Sequence, residues 1–380
     1  MRTAGTRSPG RLSGLLLAGG LCVTATAPVL SAQQAASRSG SSHPDGRPIY
    51  EAACAPCHGE DARGASKTLV GFEQPLPDLT DPNFTREPDA DWFAIVHEGG
   101  PVRAFNRLMP AFGDALAPNE IQAVIDHVRS LGAHAGWPRG ELNFPRAILT
   151  EKAFPEDEAM FVAGVAAEGA GEVANKLIYE KRFGARNQFE VIVPFSSRDD
   201  GVDGWTSGIG DLAFGAKRVV YHDRGRGTIV SLAGEVSLPT GNADRGFGSG
   251  HVAVESFAAF GQALPRDAFV QAQAGVGIPT NGAARDAFWR LVAGRSYSQG
   301  EFGRTWSPMV ELAAARDLIA GEAAQWDVVP QVQVTLSRRQ HIMAAVGARV
   351  PLTDRGPRRT QVVMYFLWDW FDGGLLEAWK

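Results

Sequence analysis

A chain of 380 residues with 37 Lys plus Arg against 42 Asp plus Glu, a formal charge of −5, is too long for one small domain and has no basic excess to suggest nucleic acid as a partner. Its cysteines are Cys22, Cys54 and Cys57, too few for a disulfide framework. Beyond the apolar run from Leu12 to Leu30, no stretch of about twenty apolar residues predicts a transmembrane helix.

That first run follows Arg2, Arg7 and Arg11 and ends in Ser31-Ala32, the layout of a secretory signal peptide over residues 1–32, with Ala36 as an alternative cleavage site. Cys22 falls inside this leader. Residues 33–46, rich in Gln, Ser, Ala and Gly, predict a flexible tether, and the chain is expected to be exported.

Next comes Cys54-Ala55-Pro56-Cys57-His58, within PIYEAACAPCHGEDARG. Two thiols three positions apart stand about one helical turn apart, so Cys54 and Cys57 can both bond one haem covalently, and His58 can offer its imidazole to the iron. A zinc ribbon would need a second cysteine pair, and a thioredoxin-like motif should follow a strand, not the helical Pro48-Ile49-Tyr50-Glu51. After His58, Pro75, Pro77, Pro82 and Pro88 predict loop. Asp89 begins a short helix through Val96, closed by Gly99-Gly100. The last helix repeats Ile121, Val124, Ile125, Val128 and Leu131 at three-four spacing, between Pro118 and Gly132.

Residues 44–134, from the CAPCH sentence through LMPAFGDALAPNEIQAVIDHVRSLG, resemble a single-haem class I c-type cytochrome, an all-α domain expected at 47–134. In that family a methionine followed by proline supplies the sixth iron ligand, which implies Met109, ahead of Pro110. The other methionines fall in the leader, the next linker or the strand-rich half; His97 is the alternative. One departure from the family is Ala62-Arg63-Gly64 after Asp61, where a further glycine is frequent, and it bears on the loop conformation. Residues 41–134 hold fourteen Asp plus Glu against seven Lys plus Arg, a local net of −7, which favours a redox partner protein with a basic docking surface.

Residues 135–158, with Trp137, Pro138, Pro145 and Pro155, predict an ordered linker. The period then changes to two. In Thr228–Leu238, Val230, Leu232, Val236 and Leu238 oppose Ser231, Glu235 and Ser237; in Asp327–Ser337, Val328, Val332, Val334 and Leu336 oppose Gln331, Gln333 and Thr335. About twelve such segments are expected, near 159–166, 175–183, 187–197, 208–222, 227–239, 250–263, 268–279, 286–298, 304–318, 324–337, 341–352 and 359–371. Short turns such as HDRGRG alternate with long connections such as LPTGNADRGFGSG, and seven of the nine tryptophans lie in this half. A soluble barrel or sandwich also alternates, but long strands in an exported chain favour an antiparallel transmembrane β-barrel at 159–380, in the outer membrane and facing its lipid. GIGDLAFGAKR, EVSLPTGN and GVGIPTNG, within Gly208–Trp379, resemble the outer-membrane family associated with meta-pathway phenol degradation, which implies a barrel channel and no catalytic residue.

An even barrel with short periplasmic turns leaves both its ends, and the haem domain, in the periplasm. About twelve strands enclose a narrow lumen, too small for a folded haem domain with a radius of gyration of about 12 Å. The expected function is electron transfer by one covalent haem c, without enzymatic activity. The alternative is a channel for a small compound, with the cytochrome as tether, gate or redox sensor. Lys217, Glu235, Glu255, Gln271, Gln273, Gln331 and Gln333 would then line the lumen.

Overall fold

The computed structural model describes residues 44–369 apart from 72–75, 82–86, 101–107, 133–137, 168–170, 200, 202–203, 299–303, 337–341 and 355–357. The expected signal peptide with Cys22, most of the expected tether, and Trp137, Trp370 and Trp379 lie outside the described residues. No described helix is long and apolar enough to cross a membrane.

The described residues open with a small helical domain. Asp45 starts α1 (Gly46–Ala53) by accepting the Arg47 amide at 3.0 Å, and Arg47 pairs with Glu51 one turn on. Then come α2 (Ala55–His58), α3 (Lys67–Val70), α4 (Asp89–Glu98) and α5 (Pro118–Leu131). Pro118 opens α5, and the Glu120 carboxylate accepts the Ala117 amide at 2.8 Å. Most of its periodic face is buried, with Ile121, Val124, Ile125 and Val128 inside, while Leu131 at the end of the helix is exposed. Helix α1 crosses α5 at Gly46, where a Cβ would lie 1.9 Å from the Ala123 carbonyl oxygen, so only glycine permits this approach. Tyr50, Ala62, Val124 and Val128 form the core, with Cys54, Ala55, Leu79 and Trp92 against it.

The second part is a closed antiparallel barrel. Its strands are β1 (Glu158–Ala166), β2 (Glu172–Phe183), β3 (Asn187–Asp199), β4 (Trp205–Ile209 and Leu212–Asp223), β5 (Thr228–Leu238), β6 (Ala253–Leu264), β7 (Ala268–Pro279), β8 (Asp286–Arg295 and Tyr297–Ser298), β9 (Thr305–Asp317), β10 (Gln325–Thr335), β11 (Ile342–Pro351) and β12 (Gln361–Asp369). Strand β4 is broken at Gly210-Asp211 and β8 at Ser296; both halves of each still pair with the same neighbour, β3 and β9 respectively. Sequential strands pair throughout, and β12 pairs with β1 from Ala166↔Gln361 to Glu158↔Asp369. Each of the twelve alternating segments thus corresponds to a strand.

Outward positions carry an apolar band that includes Phe161, Leu177, Leu232, Leu291, Val310, Val346 and Phe366, all exposed. Exposed Trp205 marks one end of this band, and Trp306 and Trp368 mark the other. Closure satisfies the backbone and the outward face suits lipid, which makes this a barrel of the outer-membrane type. Short turns between β2 and β3, β4 and β5, and β6 and β7 define the periplasmic end, where the helical domain also enters. At the other end the loop 239–252 folds back on the wall. Phe247 is buried over Gly208 beside Arg198, and Asp211 accepts the Gly241 amide at 2.9 Å and the Ser249 amide at 2.6 Å.

Candidate functional site

Cys54, Cys57 and His58 share one turn of backbone. The amides of Cys57 and His58 both point to the Cys54 carbonyl, at 3.1 and 2.9 Å. Both cysteines are free thiols of intermediate burial. Burial, then the neighbouring Cys57, pushes the Cys54 thiol up to about 11, and burial pushes the His58 imidazole down. A neutral ring is the form that binds a metal, and the buried Nδ1 of His58 has no hydrogen-bond partner. This donor set fits haem: two reduced thiols and a partly buried imidazole, whose pKa burial lowers, on one helical turn.

The loop after His58 folds back on α2. Gly64 donates its amide to the His58 carbonyl at 2.8 Å, Ala65 donates to Cys57 at 2.9 Å, and the Tyr50 hydroxyl donates to the Gly59 carbonyl at 2.6 Å. The departure noted at Ala62 has a physical counterpart. This fully buried alanine sits at φ 61°, a left-handed conformation that glycine adopts freely and that costs another residue roughly 1–2 kcal/mol.

Across the domain, Met109–Gly113 is laid against the end of α4. The Gly100 amide donates to Met109, that of Phe112 to Val96 and that of Gly113 to His97, at 3.1, 3.0 and 2.9 Å. Met109 is half-buried in this loop. His97 is engaged on its own helix, stacked on Phe93 at 5.7 Å, with Nδ1 at 2.5 Å from Glu98 and its ring over Gly113.

The helical domain meets the barrel rim through Asp89. Its carboxylate contacts Arg129 at 2.7 Å, Arg139 at 2.6 Å and Arg224, which lies in the periplasmic turn between β4 and β5. Burial alone would raise the Asp89 pKa, but the three guanidiniums outweigh it and hold the carboxyl below its ordinary range.

The expected linker does more than connect. From Phe144 it climbs into the lumen, and inward side chains of the wall hold its backbone. Gln271 donates to the Pro145 carbonyl at 2.8 Å, Gln333 accepts from the Arg146 amide at 2.8 Å and Gln331 from Ile148 at 2.9 Å. Near the top, Glu311 accepts the Leu149 amide at 3.1 Å and Gln273 the Glu151 amide at 3.2 Å. On the way down, Lys217 donates to the Lys152 carbonyl at 2.9 Å and Gln188 accepts the Glu156 amide at 2.7 Å. The Arg146 guanidinium meets Glu158 at 2.5 Å and Glu180 at 3.0 Å, all three buried. Leu142, Phe144 and Phe154 pack with inward Val219, Ile229, Phe269 and Val292. Of the expected lumen residues, Lys217, Gln271, Gln273, Gln331 and Gln333 therefore bind this segment, while Glu235 and Glu255 stand above it. A plug was no part of the sequence reading; the signal available was the run of inward glutamines, which suits extended backbone as well as water.

These elements define the class: a cytochrome c domain, which implies haem, followed by a twelve-strand barrel of the outer-membrane type. Residues 42–128 match the family model described as cytochrome C oxidase, cbb3-type, subunit III, and residues 170–356 match that described as putative MetA-pathway of phenol degradation. No curated protein matches. Among solved structures, the chain is similar to an outer membrane channel from Pseudomonas putida F1 (15% identity, 60% of this chain and 99% of that one, TM-score 0.43). Others are the beta domain of the Bordetella autotransporter BrkA (12%, 56% and 98%, TM-score 0.36) and the KdgM porin in complex with oligogalacturonate (8%, 56% and 99%, TM-score 0.37).

Proposed function

We propose that this protein is an electron carrier anchored at the periplasmic mouth of an outer-membrane barrel, with one haem c attached through Cys54 and Cys57. Haem so held supplies a one-electron ferrous/ferric couple. His58 is the proximal ligand and Met109 the distal one, which leaves no open site for substrate chemistry. The observation that carries this reading is the placement of both thiols and the partly buried His58 on one turn. His97 is already engaged by Phe93 and Glu98, which favours Met109. The acidic balance of the haem domain suits a redox partner with a basic docking surface.

The reading predicts a low-spin haem spectrum for the reduced protein. Met109→Ala is expected to abolish the sulfur-to-iron charge-transfer band and lower the midpoint potential, since a thioether ligand raises it. An unchanged spectrum and potential would remove Met109 from the iron.

A second reading, a channel for a small compound, is favoured by the partly exposed Glu235 and Glu255 above the plug. It requires residues 144–157 to leave the lumen. Single-channel recording separates the two: a carrier is closed as isolated, whereas a channel conducts spontaneously.

A further inference from the structure

One register row of the barrel carries an acidic residue or a glycine at every position. At the periplasmic end Asp369 pairs with Glu158, Glu158 with Glu180, and Glu180 with Glu190. The row continues through Gly215, Glu235 and Glu255 to Gly277, Asp286 and Asp317. Strands of a closed barrel tilt, so a row that runs straight across them climbs the wall. Asp369 and Glu158 are at the periplasmic ends of β12 and β1, and Asp286 and Asp317 are at the extracellular ends of β8 and β9.

Like charges placed opposite each other on one face of a sheet destabilise it unless cations intervene. In the lower part of the row the plug supplies them: Arg146 lies against Glu158 and Glu180, and Lys152 against Glu156 and, at 3.7 Å, Glu158. That also fills the tightest carboxylate group among the described residues, Glu156, Glu158 and Asp369, with an ammonium.

From Glu190 upward this neutralisation stops. Glu190 is 5% exposed, its Oε2 has no hydrogen-bond partner, and among the described residues it makes no ion pair. Its carboxylate leans along the row: a Cβ on Gly215 would meet Glu190 Oε1 at 2.2 Å, so the glycine leaves room for it toward Glu235. Glu235 is opposite Glu255, and its side chain receives one long hydrogen bond, from Ser237 at 3.5 Å. The cations that face this group are committed elsewhere or distant. Lys217 donates to the plug backbone and pairs loosely with Glu151 at 4.0 Å, Arg290 donates to the Leu149 carbonyl and Gln273, and Lys176 acts on Glu235 only through space. Glu151 of the plug adds a further negative charge within electrostatic range of Glu190, Glu235 and Glu255.

We propose that Glu190, Glu235 and Glu255, with Glu151 as the floor, bind a divalent metal cation that enters from the extracellular mouth along the upper row. These carboxylates are too far apart to form a close inner-sphere cage, since none belongs to the one tight group among the described residues. They suit an oxygen-seeking ion that keeps much of its water shell and is held by charge. The site is independent of the haem reading and would stand if that reading failed.

The test uses the full haem-loaded protein in detergent, titrated with Mn2+ and followed by loss of the six-line electron paramagnetic resonance signal of the free ion. Saturable uptake of about one Mn2+, displaced by Mg2+, is expected. The double variant Glu190→Gln with Glu235→Gln is expected to weaken it by about tenfold or more, and Asp114→Asn on the haem domain to leave it unchanged. Heat-modifiable gel mobility reports whether each barrel is folded. If the double variant does not fold, Glu255→Gln alone decides the matter. Absence of saturable uptake by the unaltered protein, or equal uptake by a folded glutamine variant, overturns the proposal.

Discussion

The segment between the two domains is held at two places by opposite means. At the rim, Asp89 joins Arg139 and Arg224, and water reaches the outermost partner: the Arg224 side chain is 46% exposed, against 23% for Arg139 and 14% for Asp89. Inside the lumen, Arg146 is buried with Glu158 and Glu180, and the backbone on either side of it is bound by Gln271, Gln333, Gln331 and Tyr365. Exposed ion pairs are worth little, whereas a buried charge that loses its partner is costly. The haem domain is therefore fastened mainly through the chain that enters the barrel, and its seat on the rim is the adjustable contact.

The strongest way to break this contrast is Arg146→Ala. It leaves Glu180 buried without its cation and Glu158 with only Lys152 at 3.7 Å, and is expected to cost about 3–5 kcal/mol, read as an earlier midpoint in urea unfolding of the barrel, with conductance appearing in planar bilayers if the plug loosens. Next is Gly46→Ala, which drives a methyl into the Ala123 carbonyl and should separate α1 from α5. A loss of about 1–3 kcal/mol in the haem domain, with the barrel midpoint unchanged, would show that the two parts unfold separately.

The smallest effect belongs to the rim. Arg224→Ala is expected to change stability by about 0.2–1 kcal/mol, while hydrogen exchange around Asp89 quickens. Acid should act in the same way. Because the Asp89 pKa is depressed on folding, its contribution is in place above the ordinary value of 3.8 and is lost as pH falls through the lower folded value. Protection against exchange near Asp89, measured relative to the intrinsic rate at each pH, should therefore fall below about pH 4 and stay flat from there to neutrality. A loss of protection between pH 5 and 7 would mean that another group governs the seat.

The barrel was legible because one face had to be apolar for lipid, so Val230, Leu232 and Val236 alternate with Ser231 and Glu235 whatever the lumen contains. The two broken strands were not, since Gly210-Asp211 and Ser296 interrupt the ladder without changing which residues face out. The plug left no periodic signal of its own. Its mixed charges and prolines look like any linker, and most of the glutamines that hold it are on strands more than a hundred residues away, among them Gln273 and Gln333. The haem turn was legible because covalent chemistry fixes its spacing. The conformation at Ala62 was not, because the buried core there, shared with Tyr50 and Val128, overrides local preference.

The path of the plug also bears on assembly. It enters beside Phe269 near the start of β7, turns near Thr150 where the side chain meets Glu311, and returns to Glu158 at the start of β1, so it comes and goes by the same mouth. An excursion of this kind requires no chain end to be threaded through the ring of strands. The haem domain can thus mature as a finished globule before the barrel closes, and the loop can be seated afterwards without that globule ever crossing the wall.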